Sequence, residues 1–159
     1  MIQYLKRSLT LGDNSEELLS EESGGLPFLC YFDESRLFTG NHIPWHWHDW
    51  FEINYTDKGS FLLQTAEKTM EIHQGEAVFI NSSTMHAYDF PKDVGYYSLS
   101  CDTRFPGGEP GSYLDRKFFS PVFHSKSLSV LHIKPDTERR IRMIHCIVEF
   151  LNAMRQESR

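Results

Sequence analysis

Between residues 26 and 105 the apolar positions fall into short runs separated by turn residues, the pattern of an all-β sandwich or barrel. Candidate strands are residues 28–33, 51–56, 60–65, 68–73, 77–80, 86–90 and 96–101. Asp57-Lys58-Gly59, His73-Gln74-Gly75 and Pro91-Lys92-Asp93 supply turns, and Ala66-Glu67 reads as a hairpin. The most informative run is GNHIPWHWHDWFEINYTDKG, residues 40–59. Side chains alternate faces along a strand. Its even face reads His46, His48, Trp50, Glu52, Asn54 and Thr56; its odd face reads Trp45, Trp47, Asp49, Phe51, Ile53 and Tyr55. Histidines and a carboxylate gathered on one face, with aromatic and aliphatic groups on the other, suggest the inside of a closed sheet.

After a turn-rich break at residues 105–111 the period changes. Ser112 can cap a short helix over 113–119, and a strand at 128–133 returns to the sheet. A long helix follows at about 136–156, with Asp136 or Thr137 as its cap. Ile141, Ile144, Val148 and Leu151 recur at three and four, and Met143, Ile147, Phe150 and Met154 widen the stripe. The stripe is broad for a helix with one neighbour, so we expect it both to pack on the barrel and to meet a second protomer. The chain thus divides into a flexible N-terminal arm, 1–27, with a short strand near 4–9; a β-barrel, 28–111; and a C-terminal segment, 112–159.

Composition narrows the function classes. The 159 residues suit one domain, with 40% hydrophobic and 14% aromatic residues to build a core. A net charge of −6 is wrong for a stand-alone nucleic-acid binder. The one dense basic cluster, Arg139, Arg140 and Arg142, reads as a solvated helix face. Cys30, Cys101 and Cys146 are odd in number and widely spaced, as reduced thiols of a cytoplasmic protein would be. No stretch has the length of a membrane span or the core of a signal peptide, so no membrane partner is expected.

Three imidazoles and a carboxylate are ligands for a first-row metal, or polar anchors for a small molecule. His46, His48 and Glu52 share one run, and His86 lies in a second. A straight strand would carry Glu52 about 13 Å beyond His48, whereas metal ligands sit about 2 Å from their ion. The spacing therefore predicts a bend near Asp49 and Trp50. Zinc, nickel, iron and manganese all suit such a donor set. Trp50 shares the histidines' parity and is a candidate for stacking on a ligand, while Trp45 and Trp47 are expected outside. Asn54, Tyr88 and Tyr97 are further pocket candidates. His73, His124, His132 and His145 lack partners at ligand spacing.

These residues resemble the cupins. The first cupin motif, G-x5-H-x-H-x3-E-x6-G, is filled by Gly40, His46, His48, Glu52 and Gly59. In the second, G-x5-P-x-G-x2-H-x3-N, Gly75 and His86 match, while Asn81, Ser83 and Phe90 replace Pro, Gly and Asn. The replacements are expected to loosen the turn before His86. The resemblance implies a mostly β fold, a double-stranded β-helix or jelly-roll barrel, with the C-terminal α-helix added. The family's four metal-ligand positions fall on His46, His48, Glu52 and His86, which could hold a divalent metal or line the barrel as polar contacts without one. The wording HWHDWFEINYTDKG, followed by EIHQGEAVFINSSTMHAY, is similar to the sensor domains of AraC-type transcription regulators.

That similarity implies a cytoplasmic ligand-sensing domain. Its effector would be a small molecule such as a sugar, held by His46, His48, Trp50, Glu52, Asn54, His86 and Tyr88. It would form a homodimer through the C-terminal helix. It would reach DNA only through a helix-turn-helix region beyond residue 159, so the sequence is expected to be a fragment of a longer chain. No catalytic residue is assigned: nucleophile elbow, phosphate loop and dinucleotide fingerprint are all lacking. The alternatives are a small metal-dependent cupin enzyme, an oxygenase or isomerase, and a stand-alone sugar- or metabolite-binding cupin.

Overall fold

The computed structural model describes residues 9–19, 23–91 and 93–156. The strand expected near 4–9 lies outside them except for Leu9, which is irregular. Two antiparallel sheets face each other in a jelly-roll arrangement. One has five strands: β1 (Phe28–Glu34), β8 (Gly95–Cys101), β3 (Phe51–Lys58), β6 (Ala77–Ile80) and β9 (Val130–Ile133), in that order across the sheet. The other has four: β2 (His42–His46), β7 (His86–Asp89), β4 (Ser60–Thr65) and β5 (Thr69–His73). The expected mostly β fold with a C-terminal helix is therefore present. β2 was not foreseen as a separate strand. It is an edge strand carrying Pro44, a residue without an N–H to give to a ladder, and its register with β7 shifts between Ile43 and His46.

Period-two alternation decides what each face meets. On β3, Glu52, Asn54 and Thr56 point between the sheets, and Ile53 and Tyr55 point outward. One end of the interior is filled by Phe61, Leu63, Ile72, Val78, Ile80, Tyr88, Phe90 and Tyr96. The other end holds the polar residues described below.

A short helix α1 (Arg104–Gly107) opens the segment after the barrel. The helical turn predicted at 113–119 is present and runs on, through a π-helical stretch (Asp115–Phe119), into α2 (Ser120–Phe123). Ser112 Oγ accepts the Asp115 amide at 3.2 Å, the expected cap. The long helix α3 (Glu138–Gln156) follows, with Thr137 Oγ1 accepting the Arg140 amide at 3.3 Å. Its C-terminal half docks on the outer face of the five-stranded sheet, where Leu151 and Met154 join Cys30 and Tyr97. Its N-terminal half stands off. An apolar groove of about 650 Å³ opens there between Ile53, Phe79, Leu131 and Met143, and Ile141 and Met143 stay exposed.

Candidate functional site

His46, His48, Glu52 and His86 converge between the sheets, with one ligand atom from each, all within 4.8 Å of one another. All four are at most 5% exposed. The two sheets both contribute. His46 ends β2 and stands in register with His86 on β7, while Glu52 comes from β3, in the facing sheet. His48 lies in the crossover, and the predicted bend falls at Asp49 and Trp50. That bend brings Glu52 Oε2 to 3.1 Å from His48 Nε2, where a straight strand would have parted them.

The imidazoles share one mode of attachment. The Nδ1 of His46 contacts the Pro44 carbonyl, that of His48 the Trp50 carbonyl and that of His86 the Thr84 carbonyl, each at 2.8 Å. A carbonyl only accepts, so each Nδ1 carries the proton and donates. Every Nε2 is thereby turned into the cage. This is the support that metal-ligating histidines ordinarily have. Glu52 is held in turn: its Oε1 accepts the Ser98 hydroxyl at 2.8 Å, leaving Oε2 for the histidines. Oε2 is also 3.5 Å from His86 Nε2.

The electrostatics follow from burial and closeness. Burial, then the nearby His86, holds the His46 imidazole well below its ordinary pKa. Burial also works against charging His48, but the hydrogen bond and charge of Glu52 outweigh it and raise its pKa. Burial pushes the Glu52 carboxyl up, but the hydrogen bond to His48 and the closeness of His86 outweigh it, and its pKa ends well below the carboxylate norm. His86 Nε2 has no hydrogen-bond partner among the described residues. An orphaned imidazole nitrogen facing a carboxylate and two further nitrogens is a donor set that fits a divalent cation.

The other predicted residues divide. Asn54 and Tyr88 form the floor, with Asn54 Nδ2 donating to the Tyr88 hydroxyl at 2.8 Å. Beside and below Glu52 runs a buried polar stripe, Ser100 opposite it on β8 and Asn54 and Thr56 further along β3, in which Asn54 Oδ1, Thr56 Oγ1 and Ser100 Oγ have no partner among the described residues. Trp50 is not brought to the cage. The bend breaks the alternation, and its ring packs with Leu19, Leu29 and Tyr31. Tyr97 faces the helix side, with the Arg155 guanidinium 4.9 Å over its ring.

The turn before His86 is tighter than its sequence suggested. Asn81 Nδ2 donates to the Val122 and Leu128 carbonyls at 2.9 and 2.8 Å, and its Oδ1 accepts the Ser82 amide. Ser83, where a cupin has glycine, takes φ +59° and donates its amide to the His48 carbonyl at 2.7 Å. The turn that aims His86 is thus tied both to the loop carrying His48 and to the segment after the barrel.

Sequence reasoning missed Glu17. Residues 15–17 run along the β2 end. The Trp47 amide donates to the Ser15 carbonyl at 3.1 Å, and the Glu17 amide to the Trp47 carbonyl at 2.8 Å. Trp47 also donates its indole N–H to the Asn14 carbonyl. This strap buries Leu19 against Trp50 and brings Glu17 Oε2 to 3.9 Å from His46 Nε2. No local signal marks Glu17, because its position depends on pairing with a segment thirty residues away, roughly.

Residues 34–159 match the family described as AraC-like ligand binding domain. The uncharacterized HTH-type transcriptional regulator YdeC of Bacillus subtilis (strain 168) is 32% identical over 101 residues, which is 62% of this chain. The aligned part is 35% of that relative, so the chain spans about a third of its length. Among solved structures, a cupin-2 domain containing protein from Shewanella frigidimarina NCIMB 400 overlays with a TM-score of 0.42 at 14% identity, covering 47% of this chain and 71% of that one. The polyketide cyclase RemF from Streptomyces resistomycificus overlays with a TM-score of 0.35 at 26% identity, covering 38% of this chain and 45% of its own.

Proposed function

Since the chain belongs to the AraC-like ligand binding domain family, we propose that it senses a small molecule for a transcription regulator, with the buried cage as its receptor centre. The observation that carries this is the common pinning of three imidazoles, which aims three Nε2 atoms and Glu52 Oε2 at one point. A divalent cation would be held by His46, His48, Glu52 and His86. When bound it would supply a Lewis-acidic anchor for an oxygen of the effector. The chain's own part is to orient those donors and keep water out. Because the imidazoles must be neutral and the carboxylate ionised, affinity would fall at acid pH.

A sugar or similar hydroxylated metabolite is the effector class the interior supports. Asn54 Oδ1, Thr56 Oγ1 and Ser100 Oγ are buried acceptors with unmet capacity, and a hydroxylated molecule supplies donors. Trp50 would support the strap rather than stack on the ligand. An effector changes the output only if it favours one arrangement over another. The strap is well placed to respond, since it bonds to Trp47, which lies between the two cage histidines of β2 and the crossover. A homodimer would form along α3, where Ile141 and Phe150 are exposed and Met143 lines the apolar groove. DNA would be bound by another part of the full regulator, in the cytoplasm. Among the described residues no helix is long and apolar enough to cross a membrane.

A thermal-shift screen of sugars and polar metabolites, run with and without chelator, tests the reading. We expect a hit that His46→Ala and His86→Ala both abolish. A hit indifferent to both substitutions would move the receptor centre elsewhere. Stoichiometric iron or manganese with oxygen consumption would favour an enzyme instead.

A further inference from the structure

We propose that the groove beneath the N-terminal half of α3 is a second ligand site, outside the barrel, that takes a single-chain aliphatic carboxylate: the chain lies between α3 and the five-stranded sheet, and Arg139 and Arg142 hold its head group. This site stands apart from the sensing of a hydroxylated effector inside the barrel and does not depend on it.

The two walls are built from separate periodicities. Ile53 pairs with Phe79 and Phe79 with Leu131, so the three stand side by side across β3, β6 and β9 as one apolar row on the outer face of the sheet. Met143, Cys146 and Ile147 line the groove from α3, at the three-and-four spacing that puts residues on one side of a helix. The space between is about 650 Å³, within the roughly 300–1,000 Å³ of small-molecule sites. A smaller cavity of about 190 Å³ adjoins it, sharing Ile53, Cys146 and Ile147, and reaches Phe150 and Leu151. From residue 139 to residue 150 the helix rises about 16 Å, the reach of an extended chain of roughly ten carbons.

Charge says what the chain must carry. Among the residues that line the larger groove, Arg139 and Arg142 alone are charged, and they are three apart on the same side of α3. Arg139 has no ion pair among the described residues. Arg142 stands 3.9 Å from Glu138, but both side chains are more than two-thirds exposed, so that pair is weak and easily exchanged. Arg140 is engaged by Asp136 at 2.7 Å and does not line the groove. In a chain of net charge −6, two available guanidinium forks at an apolar groove select a carboxylate joined to an apolar body. Ile141 lies about 200° around the helix from Met143, so a protomer contact at Ile141 leaves the groove open. An occupant would bridge sheet and helix and steady the half of α3 that stands off.

The groove also carries its own reporter. Cys146 is the exposed thiol, whereas Cys30 and Cys101 are buried and burial pushes both thiols up to about 12. The test is alkylation of Cys146 in the whole chain by neutral iodoacetamide, followed by mass spectrometry, with decanoate or decanol added. Decanoate should slow the reaction saturably, and decanol should need about fivefold more, the worth of two exposed ion pairs. Arg139→Gln with Arg142→Gln should weaken decanoate about fivefold and leave decanol unchanged. Met143→Glu, which puts a carboxylate in the groove, should abolish protection, and His46→Ala should leave it intact. Alkylation indifferent to decanoate overturns the proposal, as does decanol protecting as well as decanoate. Protection that follows protein concentration instead of decanoate overturns it too, because a second copy is then the occupant. Loss of protection in His46→Ala would move the carboxylate into the barrel and overturn the separate site. If the arginine variant does not fold, the wild-type comparison of decanoate with decanol decides alone.

Discussion

Tyr88→Phe removes one oxygen from the floor of the cage and nothing else. That oxygen accepts the Asn54 Nδ2 hydrogen bond at 2.8 Å. Asn54 is fully buried, and its Oδ1 already lacks a partner among the described residues. After the substitution its amide has no replacement acceptor at hand. Stranding a buried donor costs about 1–3 kcal/mol. For a domain of this size each kcal/mol lowers Tm by about 2–4 °C, so a drop of roughly 2–12 °C is expected. The phenyl ring keeps its packing on Phe61 and Phe90, so the loss belongs to the hydroxyl. Replacing both partners by apolar groups should be far milder. Tyr88→Phe with Asn54→Leu should therefore lose less than the sum of the singles, with a coupling of about 0.5–3 kcal/mol. Urea denaturation of the four proteins measures this. A Tyr88→Phe protein as stable as wild type, or strict additivity in the double variant, would refute the idea that this hydrogen bond holds the floor.

Three further outcomes follow from geometry. Gly59→Ala places a Cβ 3.0 Å from the Asp93 carbonyl at φ +78°, and should cost about 1–3 kcal/mol in denaturant melts. Leu151→Ala should cost about 2–5 kcal/mol and free the docked half of α3, read as faster amide exchange there, because Leu151 is buried on Cys30 and Tyr97. The Glu76 carboxyl is pushed up by burial but pulled lower overall by the His73 amide and the His132 imidazole. A depressed folded pKa means its contribution is present above the unfolded value of about 4.5 and is lost as pH falls through the lower folded value. Glu76→Gln should flatten the stability curve between about pH 5 and 3, measured by urea melts across that range.

What could be read from the sequence was whatever depends on near neighbours. Glu52, Asn54 and Thr56 alternate with Ile53 and Tyr55, so one face of β3 announced itself as polar and the other as apolar. His46, His48 and His86 stood at the spacings of a known motif, and the three-four repeat from Ile141 to Leu151 gave the helix within two residues or so. Alternation failed where the backbone stops being a strand. Trp50 has the right parity but lies in the bend, which rotates it into the apolar cluster. Tyr96 and Tyr97 are adjacent aromatics, and only the pairing of β8 shows that Tyr96 faces the interior and Tyr97 the helix. Asn81 and Ser83 depart from the motif, yet contacts with residues 122 and 128 and with the His48 carbonyl restore the turn. Glu17 depended on a pairing that no local pattern encodes.

The most direct test of the cage is the ¹⁵N imidazole spectrum of the protein titrated with Zn²⁺. The account predicts that the Nε2 resonances of His46, His48 and His86 shift together and saturate at one equivalent, while each Nδ1 keeps its proton on its backbone carbonyl. Fewer than three Nε2 resonances moving, or a Nδ1 losing its proton to the metal, would contradict it.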